Sequence, residues 1–340
     1  MMKKTAVALG IASMAFGAQA VEVFKNADTA IEVNVDLQFY NLGLTDVANA
    51  QQRNYLLGRG TQIQFKASKM IDANLTVFGQ FESDPDPVGD NAALLTDDMK
   101  FGLKSKTWGT LQVGQFDSYM EDELAEIAGS FLVTQGTSAY GLSTEFTAGN
   151  DGRHILYSNK IGDFAFGVDF TQSTNAAAAT DGSNGFAVTA SYTIGGLKLV
   201  VGQSTIARYD SATYAANSQK AASGVGASYS LTSDLGVTRF AGLAATNTSY
   251  SATAAYDGLE TTYSNVSVNH TIGQWQVGVI AGIRNAAATS ASAPAVSYNE
   301  QGVQVVYDLG KGARLYAAAA NLGASTGLGN HTEVGFLMSF

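Results

Sequence analysis

Apolar and polar residues alternate one for one along much of this chain, and that period constrains its fold more than any other feature. Ile31, Val33, Val35, Leu37 and Phe39 fall on one face of an extended segment, with Glu32, Asn34, Asp36 and Gln38 on the other. Side chains alternate with period two only in a strand, and a helix cannot segregate such a set onto one face. The pattern recurs with Ile63, Phe65 and Ala67 against Gln62, Gln64 and Lys66, then with Leu75, Val77, Gly79 and Phe81 against Asn74, Thr76, Gln80 and Glu82. It closes the chain, where Val334, Phe336, Met338 and Phe340 oppose Glu333, Gly335 and Ser339. One wet face and one greasy face suit a sheet with water on one side and lipid on the other.

The first twenty residues place the chain outside the cytoplasm. Lys3 and Lys4 precede an apolar run from Thr5 to Phe16, and Ala18-Gln19-Ala20 supplies a small-x-small cleavage pattern. Residues 1–20 therefore read as a cleaved signal peptide, shorter in its apolar part than the roughly 20 residues of a membrane-spanning helix. Residues 21–340 form one domain. With 46% hydrophobic residues there is still no second long apolar run. An exported chain of this kind resolves as a transmembrane antiparallel β-barrel, in which only every second strand residue meets lipid.

Three prolines and 37 glycines fit long paired strands joined by tight turns, and the absence of cysteine excludes disulfide and thiolate chemistry. The formal charge of −10, which becomes −12 when Lys3 and Lys4 are lost, argues against nucleic acid as a partner. Short turns at residues 107–109, 161–163, 194–196, 232–234, 272–274 and 309–312 alternate with long stretches at 173–185, 204–223, 244–260 and 285–299, rich in Ala, Ser, Thr, Asn and Gly. These stretches read as external loops opposite periplasmic turns, and the pairing of turns with strands gives about sixteen strands. A barrel of that size is too wide for side chains to fill and encloses water. Phe164, Phe166, Tyr192, Tyr229, Trp275, Tyr307, Phe336 and Phe340 lie near strand ends, as an interfacial aromatic girdle requires.

One long connection differs from the rest. It follows Phe116 and carries Asp117, Glu121, Asp122, Glu123 and Glu126, and the run from Asp117 to Ile127 has neither glycine nor proline, which predicts a short helix. Folded into the lumen, it would narrow the passage and set carboxylates at the constriction. Fixed charge in a confined passage focuses potential and enriches counter-ions, here cations. The histidines, His154, His270 and His331, lack metal or triad spacing and read as rim or loop residues. No enzyme, metal or cofactor is expected.

Several segments together resemble the general diffusion porins of Gram-negative outer membranes, the trimeric sixteen-stranded family. They are Trp108-Gly109-Thr110-Leu111-Gln112-Val113-Gly114-Gln115, Gly152-Arg153-His154-Ile155-Leu156-Tyr157-Ser158-Asn159, Tyr307-Asp308-Leu309-Gly310-Lys311, and Glu333-Val334-Gly335-Phe336 with the final Phe340. The resemblance implies a homotrimer, an inward-folded third loop, and a second loop, about residues 83–98, that latches onto a neighbouring subunit. It implies contact with membrane lipid and lipopolysaccharide, small hydrophilic solutes as cargo, and Phe340 as the signal read by the outer-membrane assembly machinery.

The family also implies a row of arginines facing the loop carboxylates. Arg153 is similar to one member, whereas Gln115 and Gln62 stand where others are expected. Lys66, Lys100 and Lys104 share the lumenal phase and substitute in part. Acids kept and arginines thinned give a pore that mildly prefers cations. The alternatives are a sugar-selective porin, for which Phe78 and Phe116 are the available lumenal aromatics, and a barrel whose external loops serve adhesion.

Overall fold

The structure is a computed structural model that describes residues 21–46, 51–57, 61–85, 94–128, 153–174, 182–210, 215–251, 259–286, 296–321 and 328–339. It is built almost wholly from strands: β1 (Val21–Lys25), β2 (Thr29–Asp46), β3 (Gln51–Leu57), β4 (Gln62–Met70), β5 (Leu75–Pro85), β6 (Leu94–Ser105), β7 (Gly109–Gln115), β8 (Arg153–Ile161) and β9 (Phe164–Thr174). After them come β10 (Gly182–Ile194), β11 (Leu197–Asp210), β12 (Ala215–Ser233), β13 (Gly236–Ser251), β14 (Leu259–Ile272), β15 (Trp275–Ala286), β16 (Val296–Gly310), β17 (Ala313–Asn321) and β18 (Leu328–Ser339). One helix, α1 (Tyr119–Ala128), lies between β7 and β8.

Apart from β3 and β4, each strand pairs antiparallel with the next, and the ring closes where β18 pairs with β2 through Phe336 opposite Phe39 and Met338 opposite Leu37. β3 and β4 run one after the other along the opposite edge of β2 and make a single stave. β1 pairs with the lower part of β2, Val21 opposite Val33, directly below the point where Ser339 meets Asp36. β1 and β18 therefore share one stave, and the strands described make a closed barrel of sixteen staves.

Burial follows the alternation. Phe65, Phe101, Val113, Ile155, Val225, Val266 and Val334 stand on the outer face, each at least 44% exposed. Gln38, Thr189, Asn265, Ser267 and Gln304 are buried on the inner face. Apolar residues outside and polar residues inside invert a soluble protein, as expected where lipid is the outer solvent. Phe164, Tyr192, Tyr229 and Trp275 lie outward beside the short turns, and Trp275 packs on Tyr307 with ring centroids 4.6 Å apart. Among the described residues they mark the periplasmic edge. Gly195 and Gly273 occupy left-handed backbone (φ 57° and 56°) at the tips of two such turns, a conformation that a Cβ disfavours.

The strands run further than hydropathy predicts. β11 extends to Asp210, β12 begins at Ala215, and β13 and β14 reach Ser251 and Leu259, so most of residues 204–223 and 244–260 is ladder rather than loop. Ser204, Ala222, Ala245 and Asn247 in these segments are buried on the inner face. Their small size leaves no hydropathic contrast to read, yet the ladder continues through them.

The closure seam is stitched from within. Gln38 on β2 donates through Nε2 to the Tyr316 hydroxyl of β17 (2.9 Å), and that hydroxyl donates to the Glu333 carboxylate on β18. Tyr316 passes over Gly335, where a Cβ would stand 2.4 Å from the ring. Replacing Tyr316 with phenylalanine removes the shared hydroxyl from two buried partners, Gln38 and Glu333, at an expected cost of about 1–3 kcal/mol. A lower urea midpoint for barrel unfolding is the expected reading, and an unchanged midpoint would remove the seam's assigned role.

Candidate pore constriction

The connection after β7 turns inward because its sequence forms a capped, amphipathic helix. Ser118 is the cap: its hydroxyl accepts from the Glu121 backbone N–H (3.2 Å) and its carbonyl accepts from that of Asp122 (3.1 Å). Ser118-Tyr119-Met120-Glu121 matches the spacing of a capping box, and acidic residues in the first turn complement the helix dipole. Met120, Leu124 and Ile127 recur at helical spacing and are at most 1% exposed. They pack with Val200, Ala222, Leu243, Ala245 and Tyr263, making an apolar core inside the barrel.

The wall beneath α1 is made of glycine. A Cβ at Gly202 would lie 2.8 Å from Met120, one at Gly224 2.8 Å from Leu124, and one at Gly226 2.7 Å from Ile127. A Cβ at Gly167 would lie 2.2 Å from the Tyr119 ring. These four positions on β9, β11 and β12 form a seat into which the helix settles at backbone distance. Burial of three apolar side chains there contributes roughly 5–9 kcal/mol.

With its apolar face on the wall, α1 turns Asp122 toward the passage. The side chains of Asp117 and Asp122 are exposed, Glu121 is tucked in at 8% exposure, and Glu123 is held by Lys198 at 3.0 Å. Lys100 on β6 pairs with Asp98 (2.8 Å) and sits 5.5 Å above the Phe116 ring. Beside it, Asn34 donates to Gln64 (2.9 Å), and Gln64 in turn donates to Glu82. Asp122 reaches lumenal water, but the enclosing barrel strips much of its solvation. That loss, with Asp117 nearby and Asp98 and Glu123 adding to it against Lys100, pushes its carboxyl up to about 7.

Asp122 thus stands within electrostatic reach of Asp117, Asp98 and Lys100, and Lys66 and Gln62 share the lumenal phase on β4. Lys104 is lumenal too but lies lower, near the β6–β7 turn. Arg153 and Gln115 are not on the pore wall. They pair with each other in an unbroken register and share the phase of Ile155 and Val113, which face outward. No bulge at Gly114 turns them in. The side chain of Glu126, and the whole of Phe340, residues 1–20 and residues 86–93, lie outside the described residues.

His154 is not a rim residue either. At 2% exposure it faces inward, with Nδ1 2.9 Å from both Asp169 oxygens and 3.1 Å from Thr171 Oγ1, and its ring packs on Phe116 at 5.0 Å. Glu82 was legible only as a polar strand position and Asp98 only as an acid of the second loop, although it lies on β6, and the glycine seat had no sequence signal beyond abundant glycine. Phe116 is 1% exposed, so it presents no face for a passing sugar to stack on.

A sequence model described as Gram-negative porin matches residues 5–327 of this chain. Among solved structures, the chain resembles OmpF of Salmonella typhi in complex with daunomycin at 15% identity, over 93% of this chain and 99% of that one, with a TM-score of 0.74. It resembles an anion-selective porin of Comamonas acidovorans at 15% identity, over 92% and 100%, with a TM-score of 0.73. The trimer form of OmpT, an outer membrane protein of Vibrio cholerae, aligns at 11% identity over 92% and 100%, with a TM-score of 0.70. No curated protein sequence matches.

Proposed function

The chain belongs to the Gram-negative porin family, and we propose that its outer-membrane diffusion pore passes small hydrophilic solutes nonspecifically and admits cations ahead of anions. The observation that carries the preference is the charge balance at the constriction. Asp117 and Asp122 open onto the passage beside Asp98 and Glu82, while the nearby bases are Lys100 and Lys66. Arg153, turned outward, does not offset them. The fold alone is neutral on this point, since one of its neighbours is named as anion-selective. Burial of Phe116 counts against a sugar slide, and both family and fold point to a non-enzymatic channel.

In the same reading the pore is a homotrimer, with the connection between β5 and β6 reaching a neighbouring subunit and lipopolysaccharide around its outer rim, while the ends of the 83–98 segment belong to the barrel wall. Residues 1–20 are removed on export, and Phe340 is read by the assembly machinery. A trimeric structural neighbour supports self-association.

The test is the reversal potential across a salt gradient, measured at pH 5 and pH 8. Asp122 is neutral below its raised pKa of about 7 and charged above it, so cation preference rises with pH. Asp122→Asn should flatten that rise. Anion preference at both values would overturn the reading.

A further inference from the structure

Beneath α1, on the periplasmic side of the constriction, the inner wall opens into a cavity of about 360 Å³ whose character is opposite to that of the acidic passage. Four lysines line it: Lys104 at the end of β6, Lys106 in the following turn, Lys160 near the end of β8, and Lys198 at the start of β11. Lys104 and Lys106 are near neighbours in sequence, but Lys160 and Lys198 lie far from them, and the barrel's register brings the three regions together. Lys104 stands opposite Thr110, which stands opposite Ser158, and Lys160 continues the β8 phase two residues further down. Lys198 faces Thr193 across the β10–β11 turn.

Two carboxylates share the cavity, Glu123 and Asp163, and Glu123 is already engaged by Lys198 at 3.0 Å. Among the described residues, Lys104, Lys106 and Lys160 have no ion-pair partner. The wall between them is small and hydroxylated, with Thr110, Ser158, Ser191 and Thr193 giving both room and donors. Ammonium groups donate and do not accept, and hydroxyls can orient their hydrogens toward a bound anion. A recess that is rich in donors, net positive and partly walled from bulk water favours a group with several acceptor oxygens and more than one negative charge.

We propose that this niche is a binding site for multivalent oxyanions, phosphate-bearing solutes above all, placed just inside the periplasmic mouth. The inference rests on the chain being an open pore. It adds a second filter of opposite sign in series with the first: cations are enriched at the helix, whereas a phosphate group arriving from the periplasmic side meets a site that holds it before it meets the carboxylates. Lys66 and Lys100, which lie higher and face Glu82, Asp98 and Asp122, belong to the constriction and not to this niche.

The experiment adds potassium pyrophosphate to one chamber at a time while single-channel current is carried by KCl across a planar bilayer. The wild type is expected to show added flicker and reduced current at lower pyrophosphate from one side than from the other. In the variant K104Q/K106Q/K160Q, the half-blocking concentration should rise at least about tenfold, the loss expected for removing charges within several ångströms of a multivalent ion. Its KCl conductance should remain, because these side chains stand below the constriction. K66Q/K100Q should keep the sidedness. Wild-type insensitivity, or equal block in the triple variant, would overturn the niche while leaving the pore intact, whereas absent KCl conductance from folded wild type would overturn the pore itself.

Discussion

Leucine at both Gly202 and Gly224 is expected to unseat the constriction helix and give single-channel traces a second, noisier conductance level. The two glycines lie where any Cβ would come within 2.8 Å of Met120 and Leu124. A leucine carries three heavy atoms beyond that Cβ, and overpacking of a close-packed contact costs about 1–3 kcal/mol per site. Against a seat worth roughly 5–9 kcal/mol, the native helix is displaced less than about one time in a thousand. Losing several kcal/mol from that margin brings the displaced population toward the order of a tenth. The lipid-facing residues of the same strands are untouched, so the barrel should still fold and migrate as its wild-type oligomer. A single unaltered conductance level in that variant would mean that α1 is held by something other than this seat.

The second large effect concerns charge. At pH 8, where Asp122 is ionised, Asp117→Asn with Asp122→Asn should lower the cation-to-anion permeability ratio by about tenfold or more at low salt. A unit charge about 5 Å from a permeating ion in water-like dielectric contributes about 0.8 kcal/mol, or roughly fourfold in relative occupancy for each charge. The effect should shrink in 1 M salt, where the screening length falls to about 3 Å. Lys100→Gln should move the ratio the other way by freeing Asp98 from its 2.8 Å partner. A reversal potential unmoved by the double substitution would place the selective charges elsewhere in the lumen.

The barrel was legible in the sequence wherever a face is made of large apolar residues. Ile31 to Phe39 and Val334 to Phe340 announce their strands because lipid demands bulk on one side and water tolerates polarity on the other. Legibility failed where the inner wall has to be small. Between Ser204 and Ser223, many alanines and small polar residues look like loop filler, yet Ala222, and Gly224 just beyond, are small because Leu124 and its neighbours lie against this wall. The helix itself was visible from its uninterrupted run and its acids, but the surface that receives it was not, since no local pattern marks a glycine whose partner is a hundred residues away.

Arg153 shows a different failure. Similarity of a motif placed it in the lumen, while its own strand, with Ile155 exposed at 51%, puts that phase on the outside. Phase within the strand was the better guide. His154, its neighbour, was read as peripheral because its partners Asp169 and Thr171 lie on the adjoining strand, where only the β8–β9 register brings them together. The lysine niche escaped notice for the same reason.

Because α1 lies flat against the wall formed by β9 to β14, the described residues narrow the lumen from one side rather than evenly around its rim. A passage narrowed from one side sorts by the least dimension of a solute rather than by its volume. A flat ring turned edge-on should pass where a compact branched molecule of equal mass is held back, so a cutoff stated as molecular mass would describe this pore poorly.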